Sequence, residues 1–340
     1  MNVRQTEPLS YRTVDGVRRI TEQELAQKSG LDLESIVYFN GDFIPLNEAK
    51  LNIATQAFQY GTNGFEGICG FWNNDENQIY IFRLEDHFRR FANTAEFLGI
   101  DLTTSIKELC DITCEMVRRN KPNSDMYIRP NIYKAGFSAV PTLIDIDGEN
   151  PAGFSVFGRL IKTRPDIEKG LHVMVSKWNK PSNAMVPAWA KIGGSYVMSS
   201  HVSSGATKAG FDDAVLLNIK GNVTEASTTN IFILKDNTLI TPPVTDSILN
   251  GITRDSIIKI AKRELNLKTI EKSFGREALY SADEVFITGT LAGARPITKI
   301  DNQSIGTGKT GTVTRKLFKF YFDIASGKNL AYKKWCTPVF

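Results

Sequence analysis

Strand-like and helix-like segments alternate along the second half of this chain, and this alternation limits the possible folds more than any other feature. Four short apolar runs are typical of buried strands, namely HVMVSKW, AVLLNI, NIFILK and EVFITG. Two longer stretches between them, SYVMSSHVSSGATKAG and TRDSIIKIAKREL, are typical of helices. Strands that alternate with helices indicate a mixed α/β fold in which sheet and helices share a core.

The alternation is preceded by a break at GRLIKTRPDIEKG, residues 158–170, which we interpret as a linker between two domains. A length of 340 residues agrees with two domains of about 150 residues each. The predicted division is an N-terminal extension at 1–35, a smaller α/β domain at 36–157, the linker at 158–170 and a larger domain at 171–340.

Local patterns predict the elements of the first half. The segment from Thr21 to Glu24 has the spacing of a helix-capping box. Asn40-Gly41, between the apolar runs IVYF and DFIP, indicates a β-hairpin. Apolar residues three and four positions apart predict an amphipathic helix from Leu84 to Leu98. The remaining predictions are a helix at 105–119, a strand at MYIRPNIY and a surface loop at about 140–151.

Composition excludes several classes of protein. With 41% hydrophobic residues, 23% charged residues and a net charge of +4, the chain requires neither nucleic acid nor a membrane surface as partner. No apolar run approaches the roughly 20 residues of a membrane-spanning helix, and the N-terminus lacks the apolar stretch of a signal peptide. No further Cys or His pair completes a zinc site, so we expect no bound metal. The four cysteines, Cys69, Cys110, Cys114 and Cys336, are expected to be free thiols in a reducing cytoplasm.

The segment Gly306-Thr-Gly-Lys-Thr-Gly311 matches the G-x-G-x-x-G pattern of dinucleotide-binding loops. That motif needs a βαβ unit around it and an acidic residue about 20 positions later, and too little chain follows Gly311 to form one. Gln303 also stands where a P-loop has its first glycine. The segment is therefore predicted to be a loop before a C-terminal helix.

Lys191, in AWAKIGGSYVMSS, is the strongest candidate for chemistry. It lies among small and apolar residues, where burial lowers the pKa of an amine and leaves the neutral form that makes Schiff bases. Most lysines are instead surface residues whose amine reaches water, so Lys191 alone is a weak signal. Three further features strengthen it: Tyr196 after two glycines, Glu225 in a polar turn between strands, and a turn at 250–255 that opens a helix suited to phosphate.

These segments resemble the class IV aminotransferases, which are fold-type IV pyridoxal-phosphate enzymes, and among them the branched-chain amino acid aminotransferases most. The resemblance covers about residues 37–322, and its motifs include FQYGTNGFEGI, MYIRP, VSKWNKPSNAMVPAWAKIGGSY, LNGITRDSIIKIAK and SFGREALYSADEVFITGT. It implies a two-domain α/β fold, with a smaller N-terminal α/β domain and a larger C-terminal pseudo-barrel domain that binds pyridoxal 5'-phosphate.

The resemblance implies a role for each matching residue around the cofactor. Lys191 corresponds to the catalytic lysine, which forms the Schiff base and moves a proton between Cα and C4′. Glu225 corresponds to the carboxylate that keeps the pyridine nitrogen protonated, and Tyr196 to the donor to the phenolic oxygen. The phosphate is expected to contact Arg90, Ile252, Thr253 and Thr290, and the ring is expected to contact Leu249. Arg89, the neighbour of Arg90, is the alternative for the phosphate-binding arginine.

The resemblance also implies a substrate pocket. Aromatic walls for an aliphatic side chain are expected from Tyr60, Phe65 and Tyr127, and a carboxylate-binding role from Arg129. Core packing explains Tyr60 and Phe65 about as well when only the residues are considered. The backbone N–H groups of Leu291 and Ala292 would bind the α-carboxylate. The pocket departs from the family pattern in the turn at 290–295, at Cys69 in place of a frequent arginine, and at Gly158 and Ile161 in place of aromatic residues.

The predicted function is transfer of the amino group of a branched-chain or related hydrophobic L-amino acid to a 2-oxo acid such as 2-oxoglutarate, in primary or specialised metabolism. The alternatives are a lyase of the aminodeoxychorismate type and a non-catalytic binding protein. Arg129 with Tyr127 and Phe65 favours the aminotransferase, and Lys191 with Glu225 argues against a binding protein. Since the family forms homodimers, we expect a homodimer or a higher homo-oligomer.

Overall fold

The computed structural model describes residues 10–12, 19–137, 140–143 and 151–340 of the chain. In the first half, the described strands are β1 (Ser10–Arg12), β2 (Arg19–Thr21), β3 (Ile36–Phe39), β4 (Asp42–Pro45), β5 (Asn63–Phe65), β6 (Ile68–Asn73), β7 (Gln78–Phe82), β8 (Met126–Lys134) and β9 (Ala152–Leu160). The helices are α1 (Glu22–Ser29), α2 (Gln56–Tyr60), α3 (Leu84–Phe97) and α4 (Ile106–Asn120), with a 3₁₀ turn at Leu46–Glu48.

The second half continues with α-helices, strands and 3₁₀ turns. Its strands are β10 (Leu171–Asn179), β11 (Asp213–Leu217), β12 (Val223–Ala226), β13 (Asn230–Lys235), β14 (Thr238–Thr241), β15 (Lys268–Glu271), β16 (Glu284–Gly289), β17 (Gly293–Ile300), β18 (Gln303–Ser304) and β19 (Cys336–Pro338). Its helices are α5 (Tyr196–Lys208), α6 (Ile252–Leu265), α7 (Glu277–Tyr280) and α8 (Thr312–Ala325), with 3₁₀ turns at Gly193–Ser195, Val244–Asp246 and Leu330–Trp335. None of the described helices has the length and apolar character needed to cross a bilayer.

The local predictions for the first half are confirmed where the structure describes them. Asn40 and Gly41 have left-handed backbone angles, with φ of 49° and 114°, and they join β3 to β4 as a hairpin. Both α1 and α4 begin with a capping box, in which a hydroxyl and a glutamate satisfy each other's backbone N–H groups. Residues 144–150 of the predicted surface loop, and most of residues 1–18, lie outside the described residues.

An antiparallel sheet in the order β19-β7-β6-β8-β9-β3-β4, with β5 paired to β8, forms the first layer. Helices α3 and α4 pack on this sheet through fully buried side chains that include Phe88, Phe91, Leu109 and Met116. Each such side chain stabilises the packing by about 1.5–3 kcal/mol. This packing fixes the position of α3, which carries Arg90.

The second sheet closes on itself. Its strands run in the order β12-β11-β10-β17-β16-β13, and β12 also pairs with β13, so these six strands form a ring. Strands β14 and β15 extend the sheet from β13, and β18 pairs with β17. The closed ring confirms the pseudo-barrel that the family resemblance implies, and it places β12, β16 and the turns that follow them around one opening.

The two sheets share a core, and two strands lie across the predicted domain limits. Phe71 and Phe82 of the first sheet and Phe232 of the second pack in one cluster with Tyr321 of α8. Strand β19, near the end of the predicted domain 171–340, pairs with β7 of the first sheet. Strand β9 pairs with β8 as far as Leu160, so the segment predicted as a linker, 158–170, begins inside a strand. The division into 1–35, 36–157, 158–170 and 171–340 stays a prediction.

The glycine-rich segment before α8 is a loop, as predicted, and its helix start is already capped by a carboxylate. Gly311 precedes the helix, and Glu284 accepts the backbone N–H groups of Val313 at 3.0 Å and Thr314 at 2.8 Å. A carboxylate at this position satisfies the positive end of the helix. The N–H groups that a phosphate would need are therefore engaged.

Candidate active site

A cavity of about 560 Å³ is lined by residues of both sheets. Its volume falls within the roughly 300–1,000 Å³ usual for small-molecule sites. Every predicted site residue except Tyr60 lines it: Phe65, Arg90, Tyr127, Arg129, Lys191, Tyr196, Glu225, Leu249, Ile252, Thr253, Thr290, Leu291 and Ala292. Residues from distant parts of the sequence therefore meet around one space.

The backbone of Lys191 is held by elements of the first half of the chain. Its N–H donates to the Thr94 hydroxyl of α3 at 3.1 Å, and its carbonyl accepts from the Phe65 N–H of β5 at 3.1 Å. The following residues approach β5 closely, since a Cβ on Gly193 would lie 2.3 Å from the Asn63 side-chain oxygen. The glycines after Lys191 thus allow the second half of the chain to dock against the first.

The amine of Lys191 lies between two aromatic rings. Its Nζ donates to the Tyr196 hydroxyl at 2.5 Å and lies 4.8 Å from the ring centroids of Phe65 and Tyr196. Burial, together with the nearby charge of Arg90, lowers the pKa of Lys191 to about 7. Burial and the Glu225 carboxylate raise the pKa of Tyr196 to about 12, so its hydroxyl keeps its proton. Near neutral pH the lysine therefore has access to the neutral form that acts as nucleophile or base.

Glu225, on β12, is held by three donors. Its Oε1 accepts from Lys180 Nζ at 2.6 Å, and its Oε2 accepts from Asn230 Nδ2 at 2.9 Å and from the Leu249 N–H at 3.3 Å. Burial alone would lower the pKa of Lys180, but the Glu225 charge outweighs it and the pKa is raised. Lys180 is therefore held as a cation beside Glu225, whose carboxyl group is fixed in place at the cavity.

Lys180 and Asn230 are site residues that sequence reasoning missed. Lys180 follows the end of β10 and lies 45 positions from Glu225, while Asn230 begins β13. Neither residue type is distinctive in its local sequence. Only the pairing of β12 with β11 and β13 brings them to the same carboxylate.

Arg90 joins α3 to the segment before α6. Its guanidinium donates to both carboxylate oxygens of Glu66 at 2.7 Å and to the Asn250 carbonyl at 2.9 Å. Arg89, the predicted rival, pairs with Glu85 at 2.5 Å on the exposed side of α3. The structure thus places Arg90, and not its neighbour, beside the cavity.

The start of α6 lies next to Arg90. Gly251 is its N-cap and supplies no side-chain cap, so the first N–H groups, those of Ile252, Thr253 and Arg254, have no partners within the helix. Free N–H groups at the positive end of a helix, beside a guanidinium, suit a phosphate. Thr253 is buried in this first turn.

Glu66 is the buried ion-pair partner of Arg90, and its contribution to the stability of the fold depends on pH. Burial alone would raise the pKa of Glu66, but Arg90 and His87, whose Nδ1 lies 2.8 Å from the carboxylate, hold it well below its ordinary 4.5. A carboxyl group with a lowered pKa stabilises the fold fully above its unfolded pKa, and it loses this contribution as pH falls toward its folded pKa. The contribution of Glu66 to the free energy of unfolding should therefore decline as pH falls below about 4.5, while the folded protein keeps the Glu66–Arg90 ion pair.

We expect Glu66→Gln to lower the free energy of unfolding by about 3–5 kcal/mol at neutral pH, because Arg90 loses its buried anionic partner. The difference from wild type should shrink as pH falls from 5 to 3, since the carboxyl group of the unfolded wild-type chain takes up a proton in this range and that of the folded protein does not. Urea unfolding at several pH values measures this difference. A penalty that stays constant over that range would contradict an ionised Glu66 in the folded protein.

The turn at 290–292 joins β16 to β17 at the cavity edge. The Thr290 hydroxyl donates to the Gly67 carbonyl at 2.9 Å, which ties this turn to the first sheet. Beside it, the hydroxyls of Thr229 and Thr288 are buried and, within the described residues, have no hydrogen-bond partner. An unpaired buried hydroxyl costs about 1–3 kcal/mol. A polar molecule bound in the cavity would complete these hydrogen bonds.

Phe65, Tyr127 and Arg129 form one wall of the cavity. The Arg129 guanidinium lies 4.3 Å from the Phe65 ring centroid and 5.2 Å from that of Tyr127, and it donates to the Tyr127 hydroxyl at 2.6 Å. Its Nε is buried and unpaired among the residues that the structure describes. The wall therefore offers both apolar surface and a charged donor.

Tyr60 is not among the residues that line this cavity, and its role in the substrate pocket stays a prediction. It ends α2, where its side chain is 36% exposed. Gly61 then turns the chain, with φ of 66°, into β5, which directs Phe65 inward. Within the motif FQYGTNGFEGI, Phe65 lines the cavity and Tyr60 lies outside its lining.

Comparisons with known proteins agree with this geometry. The amino-transferase class IV family model matches residues 71–300. A probable branched-chain-amino-acid aminotransferase of Aquifex aeolicus is 41% identical over 303 residues, which cover 89% of this chain and 96% of that protein. The branched-chain aminotransferase of Thermobaculum terrenum in its PLP form superposes with a TM-score of 0.85 at 33% identity, covering 90% of this chain and 99% of that chain. The T.th. branched-chain enzyme complexed with N-(5'-phosphopyridoxyl)-L-glutamate has a TM-score of 0.83 at 34% identity, with the same coverage.

The fold is therefore that of the fold-type IV pyridoxal-phosphate enzymes. The chain belongs to the class IV aminotransferases, in the group of the branched-chain amino acid aminotransferases. It is an aminotransferase that uses pyridoxal 5'-phosphate and acts on amino acids. These relatives support the transferase over the lyase that the sequence left open.

Proposed function

We propose that this enzyme transfers the amino group of a branched-chain or related hydrophobic L-amino acid to a 2-oxo acid such as 2-oxoglutarate. The observation that carries the proposal is one cavity that holds the Lys191 amine, with its pKa of about 7, and the apolar, cationic wall of Phe65 and Arg129. The names of the relatives support it, and the glutamate moiety in the phosphopyridoxyl-glutamate complex supports a glutamate-type partner.

We infer that the residues around the cavity hold pyridoxal phosphate. Arg90, the N–H groups of Ile252 and Thr253 and the hydroxyl of Thr290 would bind its phosphate, while Lys191, Tyr196, Glu225 and Leu249 would contact the rest of the cofactor. The fit is supported by the lowered pKa of Lys191, by the carboxylate held by Lys180 and by the unpaired hydroxyls of Thr229 and Thr288. When bound, the cofactor supplies a ring that accepts electrons from the substrate Cα.

The chain's own residues would move the proton. In its neutral form, Lys191 would take the proton from Cα and deliver it to C4′. The Tyr196 hydroxyl, 2.5 Å from the amine, would orient Lys191 and donate to the cofactor's phenolic oxygen. Glu225, held in place by Lys180, would keep the ring nitrogen protonated.

The substrate would lie against the wall of Phe65 and Tyr127. Backbone N–H groups of Leu291 and Ala292 would bind its α-carboxylate, and Arg129 would receive the second carboxylate of a glutamate-type partner. Gly158 packs against the Met126 side chain, where the family often has an aromatic residue. The lack of an aromatic ring there is compatible with a specialised amino donor.

A panel of amino donors with 2-oxoglutarate as acceptor tests the proposed reaction. We expect the highest kcat/KM for leucine, isoleucine, valine or an unnatural aliphatic analogue, measured as glutamate formation. Release of pyruvate without amino-group transfer would contradict the proposal and favour elimination chemistry. A preference for aromatic donors would contradict the proposed substrate class but not the proposed transfer of an amino group.

We also propose that the enzyme is a homodimer, or a higher homo-oligomer built from it, through the surface around α2. This α2 surface carries Ile53, Phe58 and Phe137, which are 73%, 70% and 67% exposed, and a backbone bridge between Thr55 and Phe137 makes it continuous. Proteins that act as monomers rarely expose contiguous apolar patches of this kind. Tyr60 lies on the same surface, so in a dimer it would meet the partner and not its own cavity.

Phe58→Asp is expected to convert the assembly to monomers at micromolar concentration, because a carboxylate in an apolar interface loses its hydration without gaining a partner. Light scattering measures the molar mass. The matched control is Leu330→Asp, since Leu330 is equally exposed, at 74%, and lies outside the α2 surface. A Phe58→Asp protein with the wild-type molar mass would contradict this interface.

We propose a reducing compartment, the cytoplasm, with neither nucleic acid nor membrane as partner. All four cysteines are free thiols, and burial raises the pKa of Cys110 to about 12 and that of Cys114 to about 11. Buried protonated thiols of this kind resist oxidation. Localisation of the tagged protein tests the compartment.

A further inference from the structure

Tyr127, on the substrate wall, lies between two guanidinium groups. It pairs across the first sheet with Cys69 of β6 on one side and with Arg159 of β9 on the other. The Arg159 guanidinium carbon lies 5.6 Å from the Tyr127 ring centroid. Arg129, two positions along β8 and therefore on the same face, donates to the Tyr127 hydroxyl at 2.6 Å.

Neither guanidinium is neutralised. In the part of the chain that the structure describes, no carboxylate lies within the 4.0 Å of an ion pair from Arg129 or Arg159. Arg164, five positions further on, is by contrast held by both carboxylate oxygens of Asp125, at 2.5 Å and 2.8 Å. Two unpaired guanidinium groups on one wall favour an anionic ligand, since the forked donors of arginine match a carboxylate.

A second cavity, of about 670 Å³, lies beyond this wall. It is lined by Arg159 and Lys162 and by the apolar side chains of Ile161 and Phe322. Leu291 lines both cavities, at the turn expected to bind the α-carboxylate. Arg159 contacts the Tyr127 ring from the side of the second cavity, so a substrate chain that reaches past this ring would come close to the Arg159 guanidinium.

We propose that Arg159 determines specificity for dicarboxylic amino acids and 2-oxo acids with a longer chain than glutamate, by binding their distal carboxylate in the second cavity. Arg129 receives the shorter diacids in the first cavity, and Arg159 the longer ones. The inference rests on the proposed function, because the other end of the substrate must be held near Lys191. Tyr127 stays anchored by Arg129, so removal of Arg159 leaves the wall in place.

Equilibrium binding of three carboxylic acids to the holoenzyme, measured by calorimetry, tests this role. Glutarate and adipate are straight-chain diacids that differ by one methylene, while 4-methylvalerate carries an isopropyl group and no distal carboxylate. Arg159→Met should weaken adipate binding about 10-fold or more, which is the loss of one charge-assisted hydrogen bond. The affinity for 4-methylvalerate should stay within about twofold, because that acid has no distal charge to lose.

Lys220→Met is the matched control. Lys220 is an exposed cation that lines neither cavity, and its removal changes the net charge by the same amount as removal of Arg159. We expect adipate affinity in this variant to stay within about twofold of wild type, since a distant exposed charge is screened. Equal losses in the two variants would show a general electrostatic effect and overturn the proposal.

The outcomes separate this inference from the proposed function. Equal weakening of all three acids by Arg159→Met would show a structural role and overturn the specificity role, as would unchanged adipate binding. If 4-methylvalerate still binds in those cases, the proposed function stands. If wild-type holoenzyme binds none of the acids, both fail. As a second readout, Arg159→Met should raise KM for a six-carbon 2-oxo diacid and leave kcat unchanged.

Discussion

Lys191→Ala is expected to lose at least about 10⁴-fold in turnover, because the variant lacks both the amine that anchors the cofactor and the base that moves the Cα proton. The wild-type amine is suited to both tasks, since burial and Arg90 lower its pKa to about 7. Turnover is measured as glutamate formation from an aliphatic donor and 2-oxoglutarate. The absorbance band of protein-linked pyridoxal phosphate should also be absent from the spectrum of the Lys191→Ala variant.

Lys177→Ala is the matched control for this variant. Lys177 is also on the second half of the chain, but its side chain is exposed and its amine lies 5.9 Å from the Trp178 ring. Its removal should leave turnover within about twofold of wild type, as expected of an exposed residue away from the site. Turnover by Lys191→Ala above one per cent of wild type would contradict the proposed role of Lys191.

Glu225→Gln is expected to lower kcat about 10²–10³-fold, the usual effect of removing one fixed charge that stabilises a transition state. The same change removes the anionic partner of the partly buried Lys180, whose Nζ lies 2.6 Å from Glu225 Oε1 in the wild type. This should lower the free energy of unfolding by about 2 kcal/mol. Steady-state kinetics and urea unfolding measure the two effects separately.

The double variant Lys180→Met with Glu225→Gln separates chemistry from stability. Removing the cation together with the anion should restore the free energy of unfolding to within about 1 kcal/mol of wild type, because no charge is left unpaired. It should not restore turnover, since the ring nitrogen still lacks a carboxylate. Recovery of both would mean that Glu225 acts only by holding the fold together.

The elements that the sequence predicts well are those whose cause is local. A capping box from Thr21 to Glu24 and a hairpin at Asn40-Gly41 depend on backbone angles and hydrogen bonds among a few neighbouring residues. The same holds for the loop before α8, where Gly311 precedes the helix. These interactions form within one segment, so the pattern of residues is enough to predict them.

The partners of the site residues required the tertiary structure. Glu66, which anchors Arg90, lies 24 positions away, and Lys180, which pairs with Glu225, lies 45 positions away. A lone glutamate or lysine in sequence is most often a solvated surface residue. Their burial, and hence their effect on charge and pKa, follows from how the strands pair and not from their neighbours in the chain.

Sequence alone determined the class of enzyme and its cofactor, because the motif around Lys191, the turn at Glu225 and the helix start at Ile252 together resemble one family, and it predicts the residues that would surround the cofactor. Only the tertiary structure decided that Tyr60 lies on the α2 surface, that β9 continues to Leu160, and that Arg159 meets Tyr127. Those outcomes depend on which strands lie side by side and on where the chain turns. Contacts between distant segments form only when the two sheets pack together, and no local pattern of residues specifies them.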